Sequence, residues 1–214
     1  MNLKSRALEA AVGVLVVVVL PAFAQADPGT PDHRREERIV WRVHQANQEE
    51  IQEATLAQQK SQSVAVKEFA KQVLADHQAA EEQVRAYASS RQIDLDAVGR
   101  ELQKREADRL EYERRSRTVG SATGEWAYTW ENTLPAWDEG QKVLARLRKL
   151  DGGTFDREFV QHMIDDHGQL VDRLTTAKDR GVSSDLGELI DGLLPTLKRH
   201  LDMARTLHDA IAKA

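Results

Sequence analysis

Four side chains of the kinds that bind metal ions fall on stripes of the sequence that are otherwise apolar. The stretch FAKQVLADH at residues 69–77 returns as FVQHMIDDH at residues 159–167, each ending in an Asp-His pair eight residues after its phenylalanine. Residues four and eight apart share one face of a helix, so both histidines share a face with apolar side chains. The same stripe pattern in two other segments yields a third histidine and a glutamate. The four residues are Glu50, His77, His167 and His200.

One glutamate and three histidines make a plausible ligand set for iron, manganese or zinc. A buried carboxylate without a partner costs several kcal/mol or becomes protonated, so a metal, water or the other polar groups must satisfy it. The alternative is a purely structural network, because a single histidine on an apolar face is usually a hydrogen-bonded core residue. Asp76 and Asp166 point away from their neighbouring histidines and are expected to orient the ligands or face solvent. The other histidines are expected to be solvated, two of them (His44 and His162) near the ligands; the four are His33, His44, His162 and His208.

Four amphipathic segments must bring these side chains together. The 3.6-residue periodicity predicts helices over about residues 39–59, 64–90, 156–180 and 184–212. Residues 96–145 differ, since a highly charged helical stretch is followed by one rich in tryptophan. Trp126, Trp130 and Trp137 either pack on the bundle or form a protein or glycan contact surface. The sequence therefore predicts an all-α, single-domain four-helix bundle over residues 39–212, with a tryptophan-rich helical arm inserted between its second and third helices.

The N-terminal residues have the pattern of a secretory signal peptide. Charges in MNLKSR precede a short apolar run, and small residues in PAFAQA offer a cleavage site, which predicts a signal peptide over residues 1–26. Residues 27–38 are polar and aperiodic and are expected to form a flexible leader. With no cysteine for lipid attachment and no later apolar span, the mature chain is expected to be periplasmic or secreted. The excess of 35 acidic over 30 basic residues argues against a nucleic-acid partner.

The segments ANQEEIQEATLA, VKEFAKQVLADH, GTFDREF and LPTLKRHL resemble domain-of-unknown-function family 4142. The resemblance covers about residues 39–95 and 145–212 and leaves out the tryptophan-rich arm. It implies an exported bacterial protein with a ferritin-like fold, and it implies no particular activity. The family's recurrent polar positions correspond to Glu50, Asp76, His77, Asp156, His167 and His200.

The residues before the paired histidines argue against ferritin-type chemistry. Ferritin-like di-iron sites carry Glu-x-x-His on two helices, but Leu74 and Ile164 stand three residues before His77 and His167. A carboxylate-bridged pair of metals is therefore not expected, and the sequence is compatible with either a mononuclear or a vestigial site. The chain contains no nucleophile motif or phosphate-binding loop, so the sequence does not indicate an enzyme. The expected function is metal binding, and the alternative is an envelope structural or partner-binding protein.

Overall fold

The structure is entirely helical over the residues it describes. A computed structural model of the chain describes residues 30–119 and 137–213. All regular elements there are α-helices, which confirms the predicted all-α class. They are α1 (Pro31–Lys60), α2 (Val64–Ser90), α3 (Leu95–Val119), α4 (Trp137–Arg148), α5 (Gly152–Asp179) and α6 (Ser184–Ile211). Within the described ranges, no helix combines the length and hydropathy needed to cross a membrane. Trp126 and Trp130 lie outside the described residues, and Trp137 is the first residue of α4.

Serine caps fix the starts of α2 and α6 where the periodicity predicts them. The Oγ of Ser63 accepts a hydrogen bond from the backbone N–H of Val66 (3.4 Å). The Oγ of Ser183 likewise accepts one from the N–H of Leu186 (3.3 Å). Each bond satisfies one of the N–H groups that a helix leaves unpaired in its first turn.

Glycines set the limits of α5. The helix begins at Gly152, four residues before the predicted start at Asp156. The predicted glycine-rich break is therefore shorter than expected, and its only glycine with a positive φ is Gly152 itself (φ +54°). At the other end, the N–H of Gly181 donates to the carbonyl of Lys178 (2.9 Å), and its φ of +85° is one that glycine adopts without strain.

α1 begins at Pro31, so most of the segment predicted to be a flexible leader is helical. Glu36, within this segment, is only 5 % exposed and accepts hydrogen bonds from side chains distant in sequence. The donors are Tyr87 Oη (2.5 Å), Arg91 Nε (3.1 Å) and Ser183 Oγ (2.9 Å). These long-range contacts hold the first two turns of α1 in place, and local periodicity carries no sign of them.

Four of the helices contact one another in a closed order. α1 packs on α2, α2 on α6, α6 on α5, and α5 on α1, while α3 and α4 each contact α1. Across this arrangement the Phe69 ring lies 6.2 Å from that of Phe159, and the His77 ring lies 5.4 Å from that of His167. On both helices the histidine follows the phenylalanine by eight residues, and both pairs of rings are in contact. The two helices, α2 and α5, must therefore run in the same direction.

A layer of polar side chains separates two apolar clusters along these four helices. The first cluster includes Val43, Val84, Leu170 and Leu197. The second includes Ala54, Val73, Met163 and Ala204. On each of the four helices, the candidate ligand lies between the residue of the first cluster and the residue of the second cluster named above. Glu50, His77, His167 and His200 are thus placed in mid-helix, each no more than 2 % exposed.

Candidate metal centre

Three imidazole rings from three helices meet in the polar layer. His77 from α2, His167 from α5 and His200 from α6 each present one ring nitrogen, and these nitrogens lie within 4.8 Å of one another. Nε2 of His167 lies 3.4 Å from Nε2 of His77 and 3.2 Å from Nδ1 of His200. The predicted convergence of the three histidines is therefore present in the fold.

For two of the rings, the group next to the outward-facing nitrogen shows which ring nitrogen carries the hydrogen. Nδ1 of His167 lies 3.0 Å from the carbonyl oxygen of Met163, one turn earlier in α5. Nε2 of His200 lies 2.8 Å from Oδ2 of Asp76, which belongs to α2. A carbonyl and a carboxylate can only accept, so these outer nitrogens carry the hydrogens and donate them. A neutral imidazole has one donor and one acceptor nitrogen, so the inward nitrogens of both rings are bare.

His77 is oriented by an amide that is itself oriented. Its Nδ1 lies 3.0 Å from Oδ1 of Asn47 on α1. The amide nitrogen of Asn47 faces the carboxylate of Glu81 (3.5 Å), which can only accept, so the amide oxygen must face His77. Glu81 is held in turn by His44 (2.6 Å) and Arg85 (2.5 Å). Nδ1 of His77 therefore donates to Asn47, and its inward Nε2 is also bare.

Three lone pairs consequently point toward one another in a buried layer. Two ligand nitrogens that share a tetrahedral ion, each about 2.0–2.1 Å from it, are about 3.3 Å apart. Two of the three separations between the histidine nitrogens, 3.2 and 3.4 Å, match that spacing, and the third, between Nε2 of His77 and Nδ1 of His200, is within 4.8 Å. The donor set of three imidazoles also suits zinc, iron and similar ions. The residues present thus fit a metal ion in chemistry and in two of the three nitrogen separations, while binding would draw His77 and His200 closer together.

The same burial keeps the three rings neutral. Burial lowers the pKa of His77 to about 3, with a further contribution from His200. Burial, and then the neighbouring His77, lowers the pKa of His167 to about 3. The pKa of His200 is lowered by burial as well, although its contact with Asp76 opposes the shift. Protons therefore do not relieve the repulsion between the bare nitrogens near neutral pH, and neutral imidazole is the form that binds metals.

Glu50 lies beside this group, on the other side of His167. Its Oε1 is 3.4 Å from Nδ1 of His167, the nitrogen that donates to Met163, and the set of side chains able to share one ion contains the three histidines without Glu50. Burial raises the pKa of Glu50 well above its usual range, and the carboxylates of Asp166 and Glu53 add to the effect. The structure thus brings three of the four predicted ligands together, and the fourth, Glu50, lies behind His167.

The family model described as "Domain of unknown function (DUF4142)" matches residues 21–118 and 115–207. The chain belongs to this family. The second match runs through the tryptophan-rich stretch, which the resemblance was not expected to cover. No curated protein and no solved structure matches the chain.

The polar positions that the family resemblance indicated divide into two groups. Asp76 holds His200, and Asp166 lies near Glu50, so both predicted supporting residues border the centre. Asp156 is buried, but it precedes His167 by three helical turns, about 16 Å along α5, and does not belong to the centre. The positions indicated by the resemblance therefore include, in this chain, a buried residue away from the centre as well as the histidines.

Two polar residues near the centre were missed, and the burial of a third, His33 in the first turn of α1, was misjudged. Asn47 was not predicted, although it stands three residues before Glu50 and therefore on the same side of α1. Glu53 was also missed, and it is 1 % exposed with its Oε2 3.0 Å from Nε2 of His162. His33, expected to be solvated, is 8 % exposed. A search for every polar residue within one turn of the stripe would have found Asn47 and Glu53.

Proposed function

We propose that this DUF4142 protein binds one transition-metal ion, such as zinc, iron or manganese, through Nε2 of His77, Nε2 of His167 and Nδ1 of His200. The observation that carries the proposal is the hydrogen assignment of the rings. Each outer nitrogen donates to a group that can only accept, so three bare nitrogens face one another. A cation at their centre turns a repulsive arrangement into a ligand set.

The supports around the rings resemble those of metal-binding histidines in general. Such histidines usually donate their second nitrogen to a carboxylate, an amide or a backbone carbonyl, which fixes the ring and increases its basicity. The carboxylate of Asp76 supports His200, the amide of Asn47 supports His77, and the carbonyl of Met163 supports His167. Three protein ligands leave room for water or an external ligand on the ion. An ion with a free coordination position suits metal storage, metal sequestration or a redox role.

The setting we propose is an exported protein with a ferritin-like four-helix bundle. The closed order of contacts among α1, α2, α6 and α5 supports the bundle, with α3 and α4 belonging to the insertion between its second and third helices. The signal-peptide pattern of residues 1–26 supports export to the periplasm or beyond. An envelope location would expose the centre to metals arriving from outside the cell.

Elemental analysis of the mature chain, purified without a histidine tag, tests the metal proposal. We expect close to one equivalent of transition metal in the wild-type protein and its loss in His167→Ala. The matched control is His208→Ala, since this histidine has a side chain that is 42 % exposed and lies outside the three-histidine group. Its metal content should equal that of the wild type.

Two results would contradict the proposal. One is a wild-type protein that contains no metal and whose thermal unfolding is unchanged by zinc, iron or manganese, since a ligand that binds only the folded state must stabilise it. The other is equal loss of metal from His167→Ala and His208→Ala. Either result would favour the alternative in which the buried histidines only fix the packing of the helices.

A further inference from the structure

A line of polar contacts runs from the surface of α2 to the ring of His77. Nδ1 of His77 lies 3.0 Å from Oδ1 of Asn47 on α1, and Nδ2 of Asn47 lies 3.5 Å from Oε2 of Glu81 on α2. Oε1 of Glu81 contacts Nδ1 of His44 (2.6 Å) and Nε of Arg85 (2.5 Å). Asn47 and Glu81 are 2 % and 6 % exposed, whereas the side chain of Arg85 is 59 % exposed. Glu81 is thus linked to His77 through Asn47.

The carboxyl group of Glu81 is ionised at neutral pH. Burial alone would raise the pKa of Glu81, but its contacts with His44, Arg85 and Asn47 lower it overall. A carboxylate can only accept hydrogen bonds. The N–H₂ group of Asn47 is therefore held on the side of Glu81.

The amide of Asn47 has two orientations with opposite consequences for His77. In the observed one, the amide oxygen accepts the hydrogen of Nδ1, and Nε2 is left bare for an ion. If the amide is turned over, its N–H₂ group donates to Nδ1, and the hydrogen of the neutral imidazole moves to Nε2. That nitrogen then donates to the bare Nε2 of His167, 3.4 Å away, and is blocked as a ligand. Because the turned form relieves the repulsion between the two rings, the metal-binding form needs an interaction that opposes it.

Glu81 provides this opposing interaction. With the amide turned over, the oxygen of Asn47 would face Oε2 of Glu81, and two buried acceptors would meet with no hydrogen between them, which is costly. We propose that Glu81 is a positioning residue of the metal centre, which acts through Asn47 to keep the hydrogen of His77 on Nδ1 and to leave Nε2 free for the ion. The effect on metal affinity rests on the proposed function, whereas the place of the hydrogen can be measured in the metal-free protein.

Nuclear magnetic resonance of the isotope-labelled, metal-free mature chain at neutral pH tests the place of the hydrogen. Correlations between ring protons and ring nitrogens show which nitrogen of a neutral histidine is protonated, and the signals of His77 are recognised by their loss in His77→Gln. We expect the hydrogen on Nδ1 in the wild type. In Glu81→Gln the new amide can donate to the oxygen of Asn47, so His77 should shift toward the form protonated on Nε2. Zinc affinity, measured by competition with a coloured chelator, should fall about tenfold or more, as it does when other groups that orient metal ligands are changed.

Two further variants separate positioning from a general effect of charge or stability. Glu82→Gln removes a carboxylate from the adjacent, exposed position of α2 and should change neither the tautomer of His77 nor the zinc affinity. Asn47→Asp combined with Glu81→Gln moves the carboxylate next to His77, where it accepts from Nδ1 in either orientation. This combined variant should return the hydrogen to Nδ1 and recover most of the affinity lost in Glu81→Gln. If Glu81→Gln does not fold, as judged by far-ultraviolet circular dichroism, the wild type and the combined variant decide the question.

Three results would overturn the proposal. The first is a wild-type chain in which His77 carries its hydrogen on Nε2. The second is a folded Glu81→Gln chain that keeps the hydrogen on Nδ1 or keeps the wild-type zinc affinity. The third is a combined variant that restores neither property, since Glu81 would then act through packing and not through Asn47. A wild-type chain with the hydrogen on Nδ1 and no affinity for zinc would contradict the proposed function instead, and the tautomer measurements would still decide the role of Glu81.

Discussion

Asp76 tests whether the outer contacts of the histidines matter for the metal. Its Oδ2 accepts hydrogen bonds from Nε2 of His200 (2.8 Å), Arg199 (2.8 Å) and Gln72 (2.8 Å). Burial alone would raise the pKa of Asp76, but the bonds from Gln72, His200 and Arg199 lower it overall. The side chain is therefore a carboxylate at neutral pH, and it keeps the hydrogen of His200 on the outer nitrogen.

Asp76→Asn preserves the size of the side chain and removes its charge. The amide can turn its N–H₂ group toward Nε2 of His200, which would move the imidazole hydrogen to the inward Nδ1 and block it as a ligand. Changes to such supporting residues reduce metal affinity by about 10- to 100-fold. This corresponds to about 1.4–2.7 kcal/mol of binding free energy.

Zinc affinity is measured by competition with a coloured chelator at neutral pH. Asp202→Asn is the matched control, because this aspartate is exposed on α6 and has no contact with the histidines. Arg199→Gln is a second control that removes one hydrogen bond to Asp76 and leaves the contact with His200 in place. A zinc affinity of Asp76→Asn within about twofold of the wild type would refute the reasoning, since the supporting carboxylate would then contribute nothing.

Two further predictions concern stability. Burial raises the pKa of the Glu49 carboxyl to about 7 from a usual 4.5. Above that pH the folded chain must hold a buried negative charge, which the unfolded chain holds in water at less cost, so the wild type loses stability as the pH rises from about 4.5 to 7. In urea unfolding, Glu49→Gln should therefore be more stable than the wild type by about 2 kcal/mol near pH 8 and by much less near pH 5. A constant difference at both pH values would contradict this. Glu36→Gln weakens the pairing of Arg91, whose side chain is 7 % exposed, and should cost about 3 kcal/mol in the same assay. The exposed Glu68→Gln should cost almost nothing, and equal losses in the two variants would count against the role of Glu36.

Helical periodicity was enough to predict the main helices and the convergence of the histidines. The range of α2, Val64–Ser90, and the start of α6 at Ser184 agree with the sequence because serine caps and apolar stripes are local signals. The stripes also place His77, His167 and His200 at similar heights between the two apolar clusters. The first turns of α1 were missed, since Glu36 is held by residues more than fifty positions away.

The arrangement around the histidines could be predicted only in part. A stripe shows that Glu50 faces the interior, but not on which side of His167 it lies. Asp76 was expected to orient a neighbour, and the partner it holds is His200 on α6, which only the packing of α2 against α6 determines. Asn47 carries no charge and resembles an ordinary helix residue until the ring of His77 is placed beside it.

X-ray absorption at the zinc edge, on the mature chain loaded with one equivalent of zinc, tests most directly whether the three histidines hold one ion. The account predicts a nearest shell containing three nitrogen atoms about 2.0–2.1 Å from the metal, with the outer scattering typical of imidazole rings. His200→Ala should reduce the number of imidazoles. A nearest shell of oxygen atoms without imidazole scattering would contradict the account.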